Sequence, residues 1–264
     1  MDFKEIIYQK KEGVAKIIIN RPERYNAFTA LTLEEMYEAV RDAWADRSIG
    51  VVVLTGCGDK AFCTGGDQKT KDGEGYGKGE AMFELLDAHG QLINVIRAIP
   101  KPVIAAVNGF AIGGGHVLHL VCDLSIASEN ARFGQAGPRV GSFDAGFGTI
   151  FLARIVGEKK AREIWYLCRQ YSAQDALEMG LLNKVVPQSE LKSEVDKWCA
   201  ELLQKAPTAL ACLKASFNAD TDHATGITAM ARHAVDLYYH TDESHEGVQA
   251  FVEKRPPDFS KFRT

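Results

Sequence analysis

The chain has 264 residues, 46% of them hydrophobic and 25% charged, with a formal net charge of −4, the balance of an ordinary soluble globular protein with room for one large core or a domain plus an appendage. That charge gives no basic footprint for nucleic acid or an anionic membrane surface, and no apolar run reaches the roughly 18 residues of a membrane span. The opening MDFKE lacks the basic-then-apolar order of a signal peptide, so the cytoplasm is the expected location.

In chain order, VAKIII at 14–19 is apolar and β-branched and predicts a strand. A helix is expected from Thr32, with Thr32 as N-cap, Glu35 as its capping-box partner and Met36, Ala39, Val40 and Ala43 on its apolar face. VVVLT at 51–55 predicts a second buried strand, ended by Gly56. The polar, glycine-rich stretch 69–79 predicts a mobile loop, placed where a lid would sit. Further strands are expected at 103–107 (VIAAV) and 124–127 (LSIA). An amphipathic helix is expected over 159–172, with Ala161, Ile164, Trp165, Leu167 and Cys168 inside. From Glu190 the chain reads as mostly helical, broken at Pro207 and near Gly226. Strands alternating with helices argue for an α/β fold built of βα units.

Three stretches carry the chemistry. FCTGGDQ at 62–68 and IGGGH at 112–116 are glycine turns, able to bring backbone N–H groups close to one ligand atom. Two such donors, from Gly66 and Gly114, make an oxyanion hole. FGQAGPRVGSFD at 133–144 adds a hydroxyl, Ser142, and a carboxylate, Asp144. Together they point to chemistry on an enolate. Six cysteines, at 57, 63, 122, 168, 199 and 212, form no CxxC pair and no zinc-like spacing, and read as reduced, packed thiols; Cys63 is expected to pack and not to react. His116 and His119 stand three apart on one predicted helix, but no third ligand is evident, so no metal is expected.

The order and spacing of INRP at 19–22 with Asn26-Ala27, AFCTGGD at 61–67, KPVIAAVNG at 101–109, GGG at 113–115 and Cys122-Asp123 resemble the crotonase (enoyl-CoA hydratase/isomerase) superfamily, from about Ile6 to Phe262. The resemblance implies a spiral of repeated ββα units with a helical C-terminal region. Residues 1–200 would form the acyl-CoA core, and 201–264 the part that assembles a trimer or hexamer and completes a site. It implies that Gly66 and Gly114 hold a thioester oxygen as it becomes an enolate. Arg24, Tyr25, Ala27, Thr64, Asp67, Gln68, Gly137, Phe251 and Lys254 are the substrate- and CoA-binding candidates it suggests. No cofactor is implied beyond the CoA of the substrate.

Where enoyl-CoA hydratases carry two glutamates, this chain has Val117 and Gly137, neither able to move a proton. Ser142 and Asp144 resemble a narrower branch that includes 1,4-dihydroxy-2-naphthoyl-CoA synthase, which closes a ring, and 2-ketocyclohexanecarboxyl-CoA hydrolase, which opens one. The stretches at 156–166 and 253–259 share that branch's pattern. Arg169-Gln170-Tyr171 and SFDAG at 142–146 lean toward the synthase. Its lid pattern is replaced at 71–76, however, and Ala136 stands where a threonine would flank a bicarbonate pocket beside Gly137 and Trp165. TGGDQ at 64–68, Ser216-Phe217-Asn218 and TDES at 241–244 look more like the hydrolase, which is the favoured reading. Under it Asp144, held by Ser142 or a water, activates the attacking water, and Tyr239 of a neighbouring subunit or Tyr76 of the lid returns a proton to carbon. A non-catalytic acyl-CoA- or RNA-binding relative is the alternative class; the intact Ser142 and Asp144 favour an enzyme.

Overall fold

The structure, a computed structural model, describes residues 2–72, 75–144 and 146–263. The chain runs β1 (Ile6–Lys11), β2 (Val14–Ile19), α1 (Ala30–Ala45), β3 (Val51–Gly56), β4 (Ala61–Cys63), β5 (Lys71–Asp72), β6 (Gly75–Tyr76) and α2 (Leu85–Ala98). Then come β7 (Val103–Val107), β8 (Phe110–Ile112), α3 (Gly114–Leu120), β9 (Leu124–Ser128), β10 (Arg132–Gly134), α4 (Phe147–Val156), α5 (Glu158–Leu167) and β11 (Gln170–Ser172). It ends with α6 (Ala173–Glu178), β12 (Lys184–Val186), α7 (Leu191–Leu203), α8 (Pro207–Ala219), α9 (Ala224–Tyr239) and α10 (Asp242–Glu253).

Among the described residues the larger sheet has the order β1-β2-β3-β7-β9-β12 and the smaller β11-β10-β8-β4. Pairing is parallel except at β1/β2 and β10/β11. The apolar runs in β3 and β7 follow from burial on both faces, as parallel sheets require. Alternate residues serve different cores: Val52, Leu54 and Ala105 pack toward α1 and α2, whereas Val51, Val53 and Ile104 pack toward Leu191, Val195 and Cys199 of α7. Three successive units, β3-β4-α2, β7-β8-α3 and β9-β10-α4, each send one strand to each sheet and then a helix. This is the spiral of ββα units expected, followed by a helical C-terminal region.

Two local expectations are corrected. The N-cap of α1 is Thr29, and the reciprocal box pairs it with Thr32, not Thr32 with Glu35. Glu35 instead accepts the backbone N–H groups of Lys4 and Glu5 at 2.7 and 2.8 Å, tying β1 to α1. The helix expected over 159–172 stops at Leu167, which is exposed; Cys168 turns the chain with φ 48°, and 170–172 pair with β10. The periodicity ran on past the turn because Gln170-Tyr171-Ser172 alternates compatibly with either structure. The helix breaks expected at Pro207 and near Gly226 fall at 204–206 and 220–223: Pro207 opens α8 at the position where a missing N–H costs nothing, and Gly226 lies in the first turn of α9. Residue 200 lies within α7, which packs on β3, β7 and β9. The loop at 69–79 contains the hairpin β5/β6; Gly73 and Glu74 lie outside the described residues.

Candidate active site

The site is built where the smaller sheet ends. β4 and β8 run parallel, with Cys63 opposite Ala111, so the turns that follow them emerge side by side. Gly65 has φ +86°, and a Cβ there would lie 3.1 Å from the Gly114 nitrogen; only glycine permits both the conformation and the approach. Phe28 N–H donates to the Gly65 carbonyl at 2.8 Å, and Asp67 N–H donates to the Phe28 carbonyl at 2.9 Å. This single parallel bridge turns the N–H of Gly66, between them, to the opposite side. Gly114 is the first residue of α3, so its N–H has no acceptor within its own helix. Both glycines line one cavity of about 130 Å³.

The other walls come from α2, the segment 135–144 and α9. Among the described lining residues the titratable side chains are Tyr76, His89, Asp144, Arg232 and Tyr239. Asp144 is therefore the single carboxylate. The residue borders the cavity, but its Oδ2 is shut off from solvent and has no hydrogen-bond partner. Burial pushes its pKa up to about 7. A Cβ at Gly148 would lie 3.0 Å from that oxygen and 2.9 Å from Val117 Cγ2, so Val117 forms part of the apolar surround that keeps the carboxyl dry.

Ser142 Oγ and Tyr239 Oη are 3.0 Å apart. Burial raises the Tyr239 pKa to about 12, against the lowering effect of the Ser142 hydrogen bond. Tyr76 packs edge-on against Tyr239 at 5.7 Å, and burial also pushes its phenol upward. Gln68 Nε2 donates to Tyr76 Oη. A Cβ at Gly66 would sit 2.8 Å from the Tyr76 ring, so this ring lies directly over the first glycine turn. His89 stacks on Phe28 at 5.5 Å; burial, helped by the Arg232 charge, drops its pKa to about 4 and keeps it neutral.

The fold thus brings together Gly66, Gly114, Ser142, Asp144, Tyr76 and Tyr239, with Thr64, Gln68 and Gly137 in the same lining. Tyr239, expected from a neighbouring subunit, stands in its own chain's site, because α9 runs along the cavity and ends there. Arg24 and Asp67 do not line the cavity; they bind each other, and Arg21 joins them at 3.0 Å. Burial opposes the charge on Asp67, but the two guanidiniums and the Lys69 N–H outweigh it and hold the carboxyl below its usual range. Ala27 is buried and Tyr25 is exposed in a left-handed conformation, both outside the lining. Phe251 and Lys254 lie at the exposed end of α10 and do not reach this cavity. Cys63 is fully buried, its thiol pushed up to about 12, a packing residue. His116 and His119 are buried neutral rings 4.9 Å apart; Gln135 Nε2 donates to His116 Nδ1 at 3.0 Å. His89, Arg232 and Thr228 were not singled out from the sequence. They come from helices far apart in the chain, and no local motif marks them.

Residues 9–262 match the Enoyl-CoA hydratase/isomerase family, and the chain belongs to it. It is accordingly a crotonase-family enzyme acting on acyl-CoA. Among solved structures, an enoyl-CoA hydratase from Mycobacterium avium subsp. paratuberculosis is 29% identical with a TM-score of 0.85, over 98% of this chain and 100% of that one. Pseudomonas aeruginosa OdaA is 28% identical with a TM-score of 0.84, over 94% and 98%. An enoyl-CoA hydratase from Bacillus anthracis is 32% identical with a TM-score of 0.73, over 97% and 98%. No helix among the described residues is long and apolar enough to cross a membrane.

Proposed function

We propose that the enzyme opens a ring: it hydrolyses a C–C bond in a cyclic β-keto acyl-CoA of the 2-ketocyclohexanecarboxyl type. The observation that carries this reading is Asp144, the one carboxylate among the described lining residues, dry on one oxygen and poised with a pKa of about 7. A base of that pKa is half-ionised at neutral pH, the condition in which a general base works best. Asp144 takes a proton from water as the water oxygen bonds to the ring ketone carbon. The ring C–C bond breaks, and its electron pair moves to the thioester, whose oxygen accepts hydrogen bonds from Gly66 and Gly114 N–H. Losing one donor of this kind costs roughly 3 kcal/mol of barrier. Tyr239, a phenol kept protonated and hydrogen-bonded to Ser142, returns a proton to carbon.

A second reading, ring closure of the 1,4-dihydroxy-2-naphthoyl-CoA synthase type, draws support from Trp165. Trp165 and Gly137 line the same cavity, and the indole Nε1 is buried without a hydrogen-bond partner, a donor that a bicarbonate would use. Ala136 supplies no hydroxyl there. Mass-spectrometric product analysis with 2-ketocyclohexanecarboxyl-CoA and o-succinylbenzoyl-CoA, side by side, separates the readings. The expected result is a heptanedioyl thioester from the first and no product from the second.

Hydration of crotonyl-CoA is expected to be negligible. Val117 is fully buried and apolar, and Gly137 has no side chain, so no second proton-moving carboxylate stands by the double bond. Loss of enoyl absorbance at a hydratase-like rate would return the enzyme to simple hydration. The protein is also proposed to be a homo-oligomer, a trimer or hexamer. Phe217, Met230, Leu237 and Val252 are each at least 63% exposed on α8, α9 and α10, apolar surface of the kind that subunit contacts cover. Light scattering should give a mass of three or six chains; a monomer at micromolar concentration would refute this.

A further inference from the structure

Two groups in the cavity have no part in the chemistry above. Arg232 of α9 and His89 of α2 both line it. A Cβ at Gly90 would lie 1.8 Å from Arg232 Nη1, so the guanidinium occupies space that only a glycine leaves open. Among the described residues it makes no ion pair and no hydrogen bond. A second cavity beside the first is lined by Glu84, Asp87 and Asp236 as well as Arg232, yet none of these carboxylates closes on the guanidinium. His89 Nε2 is buried without a partner. Asp144 is not the missing counter-charge: its Oδ2 has no hydrogen-bond partner, and no ion pair joins it to Arg232. The cavity therefore has two poles, one around Asp144, Ser142 and Tyr239, the other around Arg232 and His89.

The buried ring nitrogen of His89 is costly while nothing binds it, and the half-buried Arg232 guanidinium stands in the same lining with no ion pair of its own among the described residues. A carboxylate answers both, since a guanidinium takes it in a two-pronged geometry and a neutral imidazole can donate one N–H. We propose that Arg232 and His89 bind a carboxylate on the far end of the acyl group, so that the ligands of this site include coenzyme A monothioesters of dicarboxylic acids. The inference rests on the ring-opening reading. Water adds its oxygen to the ring ketone carbon, the C–C bond breaks toward the thioester α-carbon, that carbon gains a proton, and the new acid ionises to a carboxylate. The anion that fits the second pole is thus generated at the first.

The test is calorimetric titration with heptanedioyl-CoA, heptanoyl-CoA and CoA. The unaltered protein should bind heptanedioyl-CoA roughly 10- to 100-fold more tightly than heptanoyl-CoA, the usual range for a charge-assisted hydrogen bond. Arg232→Gln should bring the first down to the second and leave heptanoyl-CoA unchanged. Gly90→Ala, favourable for a helix, should displace the guanidinium and erase the same preference, so the test survives an Arg232 variant that does not fold. No preference in the unaltered protein overturns the proposal. So does an equal loss for both thioesters and for CoA in Arg232→Gln, which would assign the guanidinium to the CoA phosphates. Product analysis is scored separately. Ring cleavage without ligand preference removes the carboxylate pocket alone, and preference without cleavage removes the ring-opening reading alone.

Discussion

Asp144→Asn is expected to lower turnover by at least about 10²-fold, the contribution of a general base, with the fold intact. The amide is nearly isosteric, and Oδ2 has no hydrogen-bond partner to lose. Two pH signatures separate this from a general disturbance of the site. In the unaltered enzyme the base form must be present, so kcat/KM should fall as pH drops through about 7, the value to which burial raises the carboxyl; the limb should vanish in the variant. The stability signature has the opposite sign. The carboxyl is 3.8 when unperturbed and about 7 in the fold, so the folded state binds the proton more tightly than the unfolded chain. Its stabilising contribution is complete below pH 4 and is lost as pH rises through about 7. The variant should therefore be more stable than the unaltered protein at pH 8, with the advantage shrinking toward pH 4 in thermal melts. Turnover unchanged in Asp144→Asn would remove this residue from the mechanism.

The parts of the site legible in the sequence were those carried by short motifs. FCTGGDQ and IGGGH announced two glycine turns, and β4/β8 pairing places them together. Asp144 was legible as the lone carboxylate of its segment, but its poise was not. The dry surround comes from Val117 on α3 and Gly148 on α4, which no local pattern links. Arg24 and Asp67 show the opposite limit. Each suits an anionic or amide-bearing ligand by type, yet 43 residues apart they meet and neutralise each other. The long buried strands β2, β3, β7 and β9 were read well because their apolar runs suit parallel strands covered on both faces, whereas the three-residue strands β4, β8 and β10 are too short to show a period. Helix ends were read less well, because a cap is decided by which hydroxyl reaches which N–H, and Thr29 and Thr32 both qualify by residue type. Apart from Tyr239, the walls supplied by α2 and α9 were invisible for a simpler reason: their inward residues follow the ordinary periodicity of packed helices, and only the folded chain shows that they face a cavity.

Tyr239→Phe is expected to reduce kcat by about 10²-fold or more, with KM changed little, as for the loss of a proton donor that acts after binding. Two phenols border the cavity, and geometry ranks them. Tyr239 Oη is 3.0 Å from Ser142 Oγ, so a proton it gives up can be replaced through the serine, and its pKa of about 12 keeps it protonated at neutral pH. Tyr76 accepts from Gln68, and its ring edge and hydroxyl lie against Gly66, which suits closing the site over the oxyanion donors. Tyr76→Phe keeps the ring and should cost less than about tenfold, whereas Tyr76→Ala should admit water and cost more. Ser142→Ala should resemble a weaker Tyr239→Phe. The reverse order for the two phenylalanine variants would move the proton transfer to Tyr76. Because α9 delivers Tyr239 to its own chain's site, mixed oligomers of Asp144→Asn and Tyr239→Phe chains should regain no activity. One chain must supply both groups, and each mixed assembly still contains one defect per site. Recovery in proven hybrids would show that the tyrosine crosses between subunits.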